Sequence, residues 1–169
     1  MPTIVVFAGP NGAGKTTWIN QILSERAEVF VYVNPDEIAR ALPADTPHRD
    51  TAAGRLVIKT LDDLEARQQD IILETTLASR THATRLRRLR DRGYRIELLY
   101  LQLPSVEASI ERVALRVASG GHHIPEDTLR RRYPLSLQYR DSLYKPLAHS
   151  WQIWESGDDG MQMVERSPL

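Results

Sequence analysis

Cysteine is absent from the sequence, so disulfides cannot hold the chain together. This absence is typical of proteins that work in a reducing compartment. No apolar run approaches the roughly 18 residues that a membrane helix needs, and the first residues lack the basic segment and long apolar stretch of a secretory signal. We therefore expect a cytoplasmic protein without a membrane partner.

An excess of charge of either sign is missing as well, because 22 Lys and Arg residues balance 22 Asp and Glu residues. A balanced charge does not favour nucleic acid or an anionic membrane as a partner. The 169 residues, of which 41% are hydrophobic, are enough for one globular domain with its own core. In the absence of repeats or a linker, we predict a single domain over residues 1–169.

Short apolar runs alternate with helical periodicities along the chain, which predicts strands alternating with helices. The predicted strands cover residues 3–8, 29–33, 71–73 and 94–103. The predicted helices cover residues 15–27, 36–41, 51–68, 79–92, 105–119 and 126–139, the last disturbed at Pro134. Two further strands within residues 151–164 predict a closing hairpin around residues 157–160. This alternation predicts an α/β domain with a parallel sheet between layers of helices.

A glycine-rich segment over residues 9–16 fits the Walker A pattern G-x-x-x-x-G-K-[ST]. Its glycines let backbone N–H groups face phosphate oxygens, and the following helix adds its positive N-terminal end. In this pattern Lys15 bridges the β- and γ-phosphates of ATP or GTP, and the Thr16 hydroxyl binds Mg²⁺. A chance match is the weaker alternative, because the segment lies between a predicted buried strand and a predicted helix. The predicted nucleotide-binding residues are Gly9, Pro10, Asn11, Gly12, Ala13, Gly14, Lys15, Thr16 and Thr17.

Two signatures of other P-loop proteins are missing from the sequence. A guanine-nucleotide switch carries an Asn-Lys-x-Asp motif, and an ABC-type or motor ATPase carries an apolar strand that ends in Asp-Glu. Neither occurs here. The small kinase-like P-loop proteins remain, which predicts a three-layer P-loop fold.

Two carboxylates follow predicted strands, where ligands of parallel sheets collect. Asp36 follows the second strand, and we interpret it as the base that accepts the proton of the substrate hydroxyl. The alternative is that Asp36 only caps a helix. Glu74 follows the third strand and is assigned to the Mg²⁺ water shell or to the substrate. Thr75, Thr76 and Ser79 either contact the substrate or cap the next helix.

An arginine-bearing helix, a glycine turn and a second arginine-bearing helix predict a short helical lid. Arg116 lies near the end of the first helix, the turn covers residues 120–123, and three arginines follow at residues 130–132. Because arginine stabilises the charge of a transferring phosphoryl group, we expect Arg116 and either Arg131 or Arg132 in the site. His122 is expected to contact the substrate or to act in the hinge.

Seven further arginines lie between residues 80 and 95, and we interpret them as a solvent-exposed helix face. An alternative hypothesis, a polynucleotide or nucleoside kinase, would use this helix to hold nucleic acid. A third hypothesis is a nucleotide-binding module without transfer activity.

Five segments in order resemble the zeta toxin family, in its compact branch of kinases. They are Gly-Pro-Asn-Gly-Ala-Gly-Lys-Thr-Thr (9–17), Val-Asn-Pro-Asp-Glu-Ile-Ala (33–39), Glu-Thr-Thr-Leu-Ala-Ser (74–79), the Arg-Val-Ala-Ser-Gly-Gly-His-His-Ile-Pro segment (116–125) and Arg-Arg-Arg-Tyr-Pro-Leu-Ser-Leu (130–137). The resemblance implies an adenylate-kinase-like P-loop fold. It also implies a kinase that uses ATP or GTP with Mg²⁺. Better-studied members phosphorylate the sugar 3′-hydroxyl of UDP-N-acetylglucosamine.

The resemblance also implies roles for individual residues. The base of the family matches Asp36, the Walker lysine matches Lys15, and the lid arginines match Arg116 and Arg131. Arg132 is then assigned to the substrate, together with Glu74, Thr75, Thr76, Ser79 and His122. Toxicity and a helical antitoxin partner are further expectations from the family.

Overall fold

The computed structural model describes residues 1–26, 30–157 and 160–168. Three predicted features lie partly outside these ranges. They are the end of the first helix at residue 27, the start of the second strand at residue 29 and the hairpin tip at residues 158–159. The strands are β1 (Thr3–Ala8), β2 (Phe30–Val33), β3 (Asp70–Thr75), β4 (Arg95–Gln102), β5 (Ser150–Gly157) and β6 (Gly160–Arg166). The helices are α1 (Lys15–Arg26), α2 (Pro35–Ala41), α3 (Arg49–Ala66), α4 (Thr81–Asp91), α5 (Val106–Ala118) and α6 (Glu126–Tyr139).

The six strands form one sheet in the order β2-β3-β1-β4-β5-β6. All neighbouring strands from β2 to β5 pair in parallel, and only β6 pairs antiparallel, with β5. The prediction of an α/β fold around a parallel sheet is therefore confirmed, with the predicted hairpin at one edge. The order brings the carboxyl ends of β1 and β3 side by side, with that of β2 next to them.

Both faces of the sheet are covered, which gives three layers. Along β1 the side chains alternate between two hydrophobic cores: Ile4 and Val6 belong to one, and Val5 and Phe7 to the other. Helices α3 and α4 pack into the first core, and α1 packs into the second. Because β1 is buried on both faces, it reads as a continuous apolar run rather than an alternating one. Across the described ranges, no helix has the length and apolar character needed to cross a bilayer.

Helix α6 continues through Pro134, so the disturbance predicted at that residue is wrong. Proline lacks an N–H and removes one hydrogen bond from the helix, but the surrounding packing keeps the backbone helical. The regular helix ends later, in a π-helical turn over Arg140–Tyr144 and a 3-10 turn over Lys145–Leu147.

The exposed-face interpretation of the basic helix is wrong for Arg85, whose side chain is only 12% exposed. Arg85 lies against α3, where it forms ion pairs with Asp62 at 2.9 Å and with the buried Glu65. Arg88 also pairs with Glu65, at 2.6 Å. Arg92, which follows α4, reaches Glu65 at 4.0 Å. Three of the seven arginines therefore pair with α3, because α3 presents carboxylates at the matching positions.

Replacing Arg85 with alanine is expected to lower the free energy of unfolding by about 3 kcal/mol, because it removes a partner from a buried carboxylate. Urea unfolding measures this change. The control is Arg87→Ala, an exposed arginine on the same helix, which is expected to change stability by less than about 0.5 kcal/mol. Equal effects of the two substitutions would show that the ion pair of Arg85 with Glu65 does not stabilise the fold.

Candidate active site

The glycine-rich segment forms a loop from Gly9 to Gly14 between β1 and α1, and α1 begins at Lys15. At Gly9 the backbone φ is 150°, and an added Cβ would lie 2.2 Å from the carbonyl oxygen of Leu101. At Gly12 the φ is 81°, and an added Cβ would lie 3.1 Å from the Cβ of Arg112. The tight turn therefore needs glycine at both positions, as the sequence pattern predicts.

Lys15 is buried inside this loop, where its Nζ donates to the carbonyl oxygens of Gly9 at 2.8 Å and Pro10 at 2.9 Å. The ammonium group thus lies at the N-terminus of α1 beside the backbone amides of the loop. A buried cation next to a helix N-terminus makes a strongly positive concave site. An anion such as a phosphate suits this electrostatic environment.

The electrostatics around Lys15 bring together groups from distant parts of the chain. Burial lowers the pKa of Lys15, whereas the negative charges of Glu74 and Asp36 act in the opposite direction and raise it. The charge of Arg116 lowers the pKa of Lys15 further. Asp36 and Arg116, which the sequence analysis placed in the site, are therefore close enough to influence the lysine of the loop.

Glu74 lies at the carboxyl end of β3, next to the loop, and is 8% exposed. The Thr16 hydroxyl donates to the Glu74 carboxylate, with both oxygens at 3.2 Å. A hydroxyl and a carboxylate are the oxygen ligands that Mg²⁺ prefers, directly or through water. The donor set at this place fits a magnesium ion.

Tyr32 and Asn34 belong to the same cluster, and the sequence analysis missed both as site residues. The Tyr32 hydroxyl donates to Glu74 Oε2. Asn34 Nδ2 donates to the same oxygen at 3.2 Å and to the Tyr32 hydroxyl at 2.9 Å. Burial and the hydrogen bond to Glu74 raise the pKa of Tyr32, which keeps the phenol protonated and a donor. The sequence held one signal for this pair: Tyr32 and Asn34 are two residues apart at the end of β2. Alternate residues of a strand share one face, so the two side chains could be expected on the same side.

Asp36 is the second residue of α2, which begins at Pro35, one residue earlier than predicted. The helix is capped by Asn34, whose Oδ1 accepts from the N–H groups of Asp36 at 2.9 Å and Glu37 at 3.3 Å. The alternative that Asp36 only caps this helix is therefore wrong. The Asp36 side chain is exposed, and among the residues that the structure describes none forms a hydrogen bond or ion pair with its carboxylate.

The C-terminal end of α2 is fixed by Arg49. Its guanidinium group donates to the backbone carbonyls of Ala39 at 3.1 Å, Arg40 at 3.2 Å and Leu42 at 2.9 Å. The Ala39 carbonyl also accepts from the N–H of Leu42 at 3.4 Å, and a cation at a helix C-terminus is favourable. The short helix that carries Asp36 is held at both ends.

The segment after Glu74 forms local turns rather than a helix cap. Thr75 Oγ1 accepts from the N–H of Leu77 at 3.1 Å, and Thr76 Oγ1 accepts from the N–H of Ala78 at 3.4 Å. Ser79 Oγ donates to the Thr81 hydroxyl at 3.3 Å, and α4 begins at Thr81 without a side-chain cap. The capping alternative for these three residues is wrong, and they lie at the carboxyl end of β3.

The glycine turn between α5 and α6 is tied to Arg116. The Arg116 guanidinium donates to the carbonyl of His122 at 3.1 Å, and the N–H of Gly121 donates to the Arg116 carbonyl at 2.8 Å. An added Cβ at Gly121 would lie 2.6 Å from the Arg116 Cγ, so the turn packs closely on this side chain. The imidazole of His122 is exposed.

The three consecutive arginines of α6 have different surroundings. Arg130 forms ion pairs with Glu107 at 3.0 Å and Glu126 at 2.8 Å, and Arg131 is exposed. Arg132 is half-buried and lies four residues before Ser136, whose hydroxyl donates to the Thr76 carbonyl at 2.6 Å. Residues four apart share one side of a helix, so Arg132 lies on the side that packs toward Thr76.

The mostly parallel sheet, the glycine loop with its buried lysine and the helical pair α5–α6 together define a P-loop kinase, a phosphotransferase. The chain belongs to the zeta toxin family, whose profile matches residues 1–138.

Three solved structures with the same fold come from different kinds of protein, and each is below 25% identical to this chain. A chain of the PezAT chromosomal toxin–antitoxin system of Streptococcus pneumoniae has a TM-score of 0.66 and 18% identity, over 98% of this chain and 72% of that one. The AvrRxo1-ORF1:-ORF2 complex with ATP has a TM-score of 0.76 and 17% identity, over 98% of this chain and 58% of that one. Shikimate kinase from Acinetobacter baumannii, in complex with shikimate, has a TM-score of 0.55 and 21% identity, over 94% and 85%.

Proposed function

We propose that the chain transfers the γ-phosphoryl group of ATP or GTP to the hydroxyl group of a small molecule, with Asp36 as the general base. The observation that carries this proposal is the position of Asp36. Its exposed carboxylate has no partner in the described part of the chain, and its negative charge opposes the lowering of the Lys15 pKa by burial. A free carboxylate beside a phosphate-binding lysine is suited to accept a proton from an incoming alcohol.

The nucleotide is held by residues 9–17 in this proposal. Backbone amides of the loop bind phosphate oxygens, and Lys15 moves from the carbonyls of Gly9 and Pro10 to the β- and γ-phosphates. Thr16 and Glu74, whose side chains contact each other, would hold Mg²⁺, Thr16 through its hydroxyl and Glu74 through water. Magnesium, when bound, neutralises charge on the β- and γ-phosphates.

Asp36 accepts the proton of the acceptor hydroxyl while the hydroxyl oxygen attacks the γ-phosphorus. The bond from this phosphorus to the β–γ bridging oxygen breaks, and ADP or GDP leaves with that oxygen. Hydrogen bonds that orient the acceptor come from polar side chains after β3 and in the turn between α5 and α6. They belong to Thr75, Thr76, Ser79 and His122. Positioning of this kind supplies most of the rate in phosphoryl transfer, because the protein does little covalent chemistry itself.

Arginine side chains stabilise the charge that develops on the transferring group. Arg116 fills this role because its charge already reaches Lys15. Of the two arginines that the sequence analysis left open, the half-buried Arg132 is favoured over the exposed Arg131, the residue that the family resemblance matched. Arg130 is engaged with two glutamates and stays outside the site.

The acceptor that we propose is a nucleotide sugar of the UDP-N-acetylglucosamine type, on the strength of the zeta toxin family. The family also supports an antitoxin protein as a partner. A nucleic acid acceptor is disfavoured, because Arg85 and Arg88 of the basic helix are neutralised by carboxylates of α3. A steep loss of acceptor binding with salt would point to nucleic acid instead.

Incubation with γ-labelled ATP tests the proposal. The protein is mixed with Mg²⁺ and either UDP-N-acetylglucosamine or a small-metabolite extract, and labelled products are separated by mass. We expect label on a low-mass hydroxyl compound. Nucleotide binding without label on any acceptor would contradict a kinase and favour a binding module.

Arg116→Ala is expected to lower kcat about 100-fold and to change nucleotide affinity much less, because its charge is needed most in the transition state. Steady-state kinetics and nucleotide titration separate the two quantities. Arg87→Ala removes an exposed arginine far from the site and serves as the control. Equal losses in kcat and nucleotide affinity would instead assign Arg116 to ground-state binding.

A further inference from the structure

The side-chain amide of Asn34 contacts the carboxylate of Glu74 and the backbone N–H of Asp36. We propose that Asn34 is a positioning residue that orients the Glu74 carboxylate toward Thr16 and, at the same time, fixes the backbone that carries Asp36. This inference rests on the proposed function, in which Glu74 serves the magnesium ion and Asp36 is the base.

The donor side of the amide acts on Glu74. Asn34 Nδ2 donates to Glu74 Oε2 at 3.2 Å and to the Tyr32 hydroxyl at 2.9 Å, two oxygens that lie side by side. Tyr32 in turn donates to the same Oε2. With two donors on Oε2, the carboxylate is held in the orientation in which it also meets the Thr16 hydroxyl. Asn34 is 5% exposed, so water hardly competes for these hydrogen bonds.

The acceptor side of the amide acts on Asp36. Asn34 Oδ1 accepts from the N–H groups of Asp36 and Glu37, which fixes the first turn of α2. Since Arg49 fixes the last turn, Asp36 is held at a set position relative to Glu74. Asparagine suits both tasks, because aspartate has no N–H to donate and serine has a single hydroxyl.

Three substitutions separate the two tasks. Asn34→Ser keeps a cap acceptor for α2 but removes the amide donors to Glu74. Asn34→Ala removes both the cap and the donors. Tyr32→Phe removes the other donor to Glu74, together with the hydroxyl that accepts from Asn34. Asn20→Ser, the same chemical change at an exposed position of α1, is the control.

The first measurement is the Mg²⁺ dependence of binding of a fluorescent, non-hydrolysable ATP analogue. In Asn34→Ser the half-saturating Mg²⁺ concentration is expected to rise about tenfold, since a hydrogen bond to a charged group is worth at least such a factor. Tyr32→Phe shifts it in the same direction. Affinity in EDTA stays as in the parent protein, and Asn20→Ser behaves like the parent in both conditions. In a Glu74→Gln background, Asn34→Ser causes no further shift, because the two residues act through one contact.

The second measurement is hydrogen exchange at the N–H groups of Asp36 and Glu37. These amides are protected in the parent protein and in Asn34→Ser, and they exchange at least about tenfold faster in Asn34→Ala, which lacks the cap. Equal protection in Asn34→Ala would overturn the cap half of the proposal.

The half that concerns Glu74 is overturned if Asn34→Ser binds Mg²⁺ and nucleotide like Asn20→Ser, or if its shift persists unchanged in the Glu74→Gln background. Neither the binding measurement nor the exchange measurement includes an acceptor, so their results do not depend on which molecule is phosphorylated. A parent protein that binds Mg²⁺ with nucleotide but labels no acceptor contradicts the proposed kinase activity alone. A parent protein without Mg²⁺-dependent nucleotide binding contradicts both proposals.

Discussion

Replacement of Asp36 by asparagine is expected to lower kcat by about 10⁴-fold, the upper end of what general-base catalysis contributes. Asparagine has nearly the same size and leaves the cap contacts of Asn34 to the backbone of α2 in place. It cannot accept the proton of the alcohol, so the chemical step fails while the site remains assembled. Nucleotide affinity is expected to stay within about threefold of the parent value, because the loss falls on the transition state.

The control for this substitution is Glu37→Gln. Glu37 is the next residue on α2, is equally exposed, and loses the same charge when it becomes glutamine. A general effect of negative charge near the site would therefore appear in both variants. The role of Asp36 as base is wrong if Asp36→Asn keeps near-normal turnover, or if Glu37→Gln matches its loss.

Replacement of Lys15 by methionine is expected to reduce kcat by about 10³-fold and to weaken nucleotide binding as well, because a buried cation that contacts the γ-phosphate is lost. Methionine keeps most of the aliphatic volume. Since burial lowers the pKa of Lys15, and thus disfavours its charged form, the free energy of unfolding is expected to stay the same or rise. Kinetics, nucleotide titration and urea unfolding give the three quantities.

Lys59→Met is the control, because Lys59 is an exposed lysine on α3. It is expected to leave kcat and nucleotide affinity unchanged. Nucleotide affinity can be interpreted only if the Lys15→Met protein is folded, so urea unfolding is measured first. A folded Lys15→Met protein with parental kcat would contradict the assignment of the loop to phosphate binding.

The fold, and the place of the candidate site at the carboxyl end of the sheet, could be predicted from the sequence because their signals are local. The glycine loop follows a strict pattern whose positions have individual steric reasons, such as the contact of Gly9 with Leu101. Strand ends are marked by the change from apolar to polar residues, which placed Asp36 and Glu74 at one edge of the sheet. Ordered segments over most of the chain then indicated the family that the profile confirms.

The remaining features depend on contacts between residues far apart in the sequence. Tyr32 and Asn34 reach Glu74 across neighbouring strands, some 40 residues away. Arg85 is not solvated, because α3 places Glu65 beside it. Which residues of α6 lie on the side toward Thr76 depends on the rotation of this helix about its axis, which the contact of Ser136 with Thr76 shows. No local pattern contains this information.

The most direct test of the account is a crystal structure of the protein with Mg²⁺ and a non-hydrolysable ATP analogue. We expect the triphosphate in the loop of residues 9–16, with Lys15 Nζ on the γ-phosphate instead of on the carbonyls of Gly9 and Pro10. The Asp36 carboxylate should face the γ-phosphorus from the side opposite the bridging oxygen, with room for one alcohol oxygen between them. A triphosphate bound elsewhere would contradict the proposed nucleotide site. An Asp36 carboxylate turned away from the γ-phosphate would contradict its role as the base.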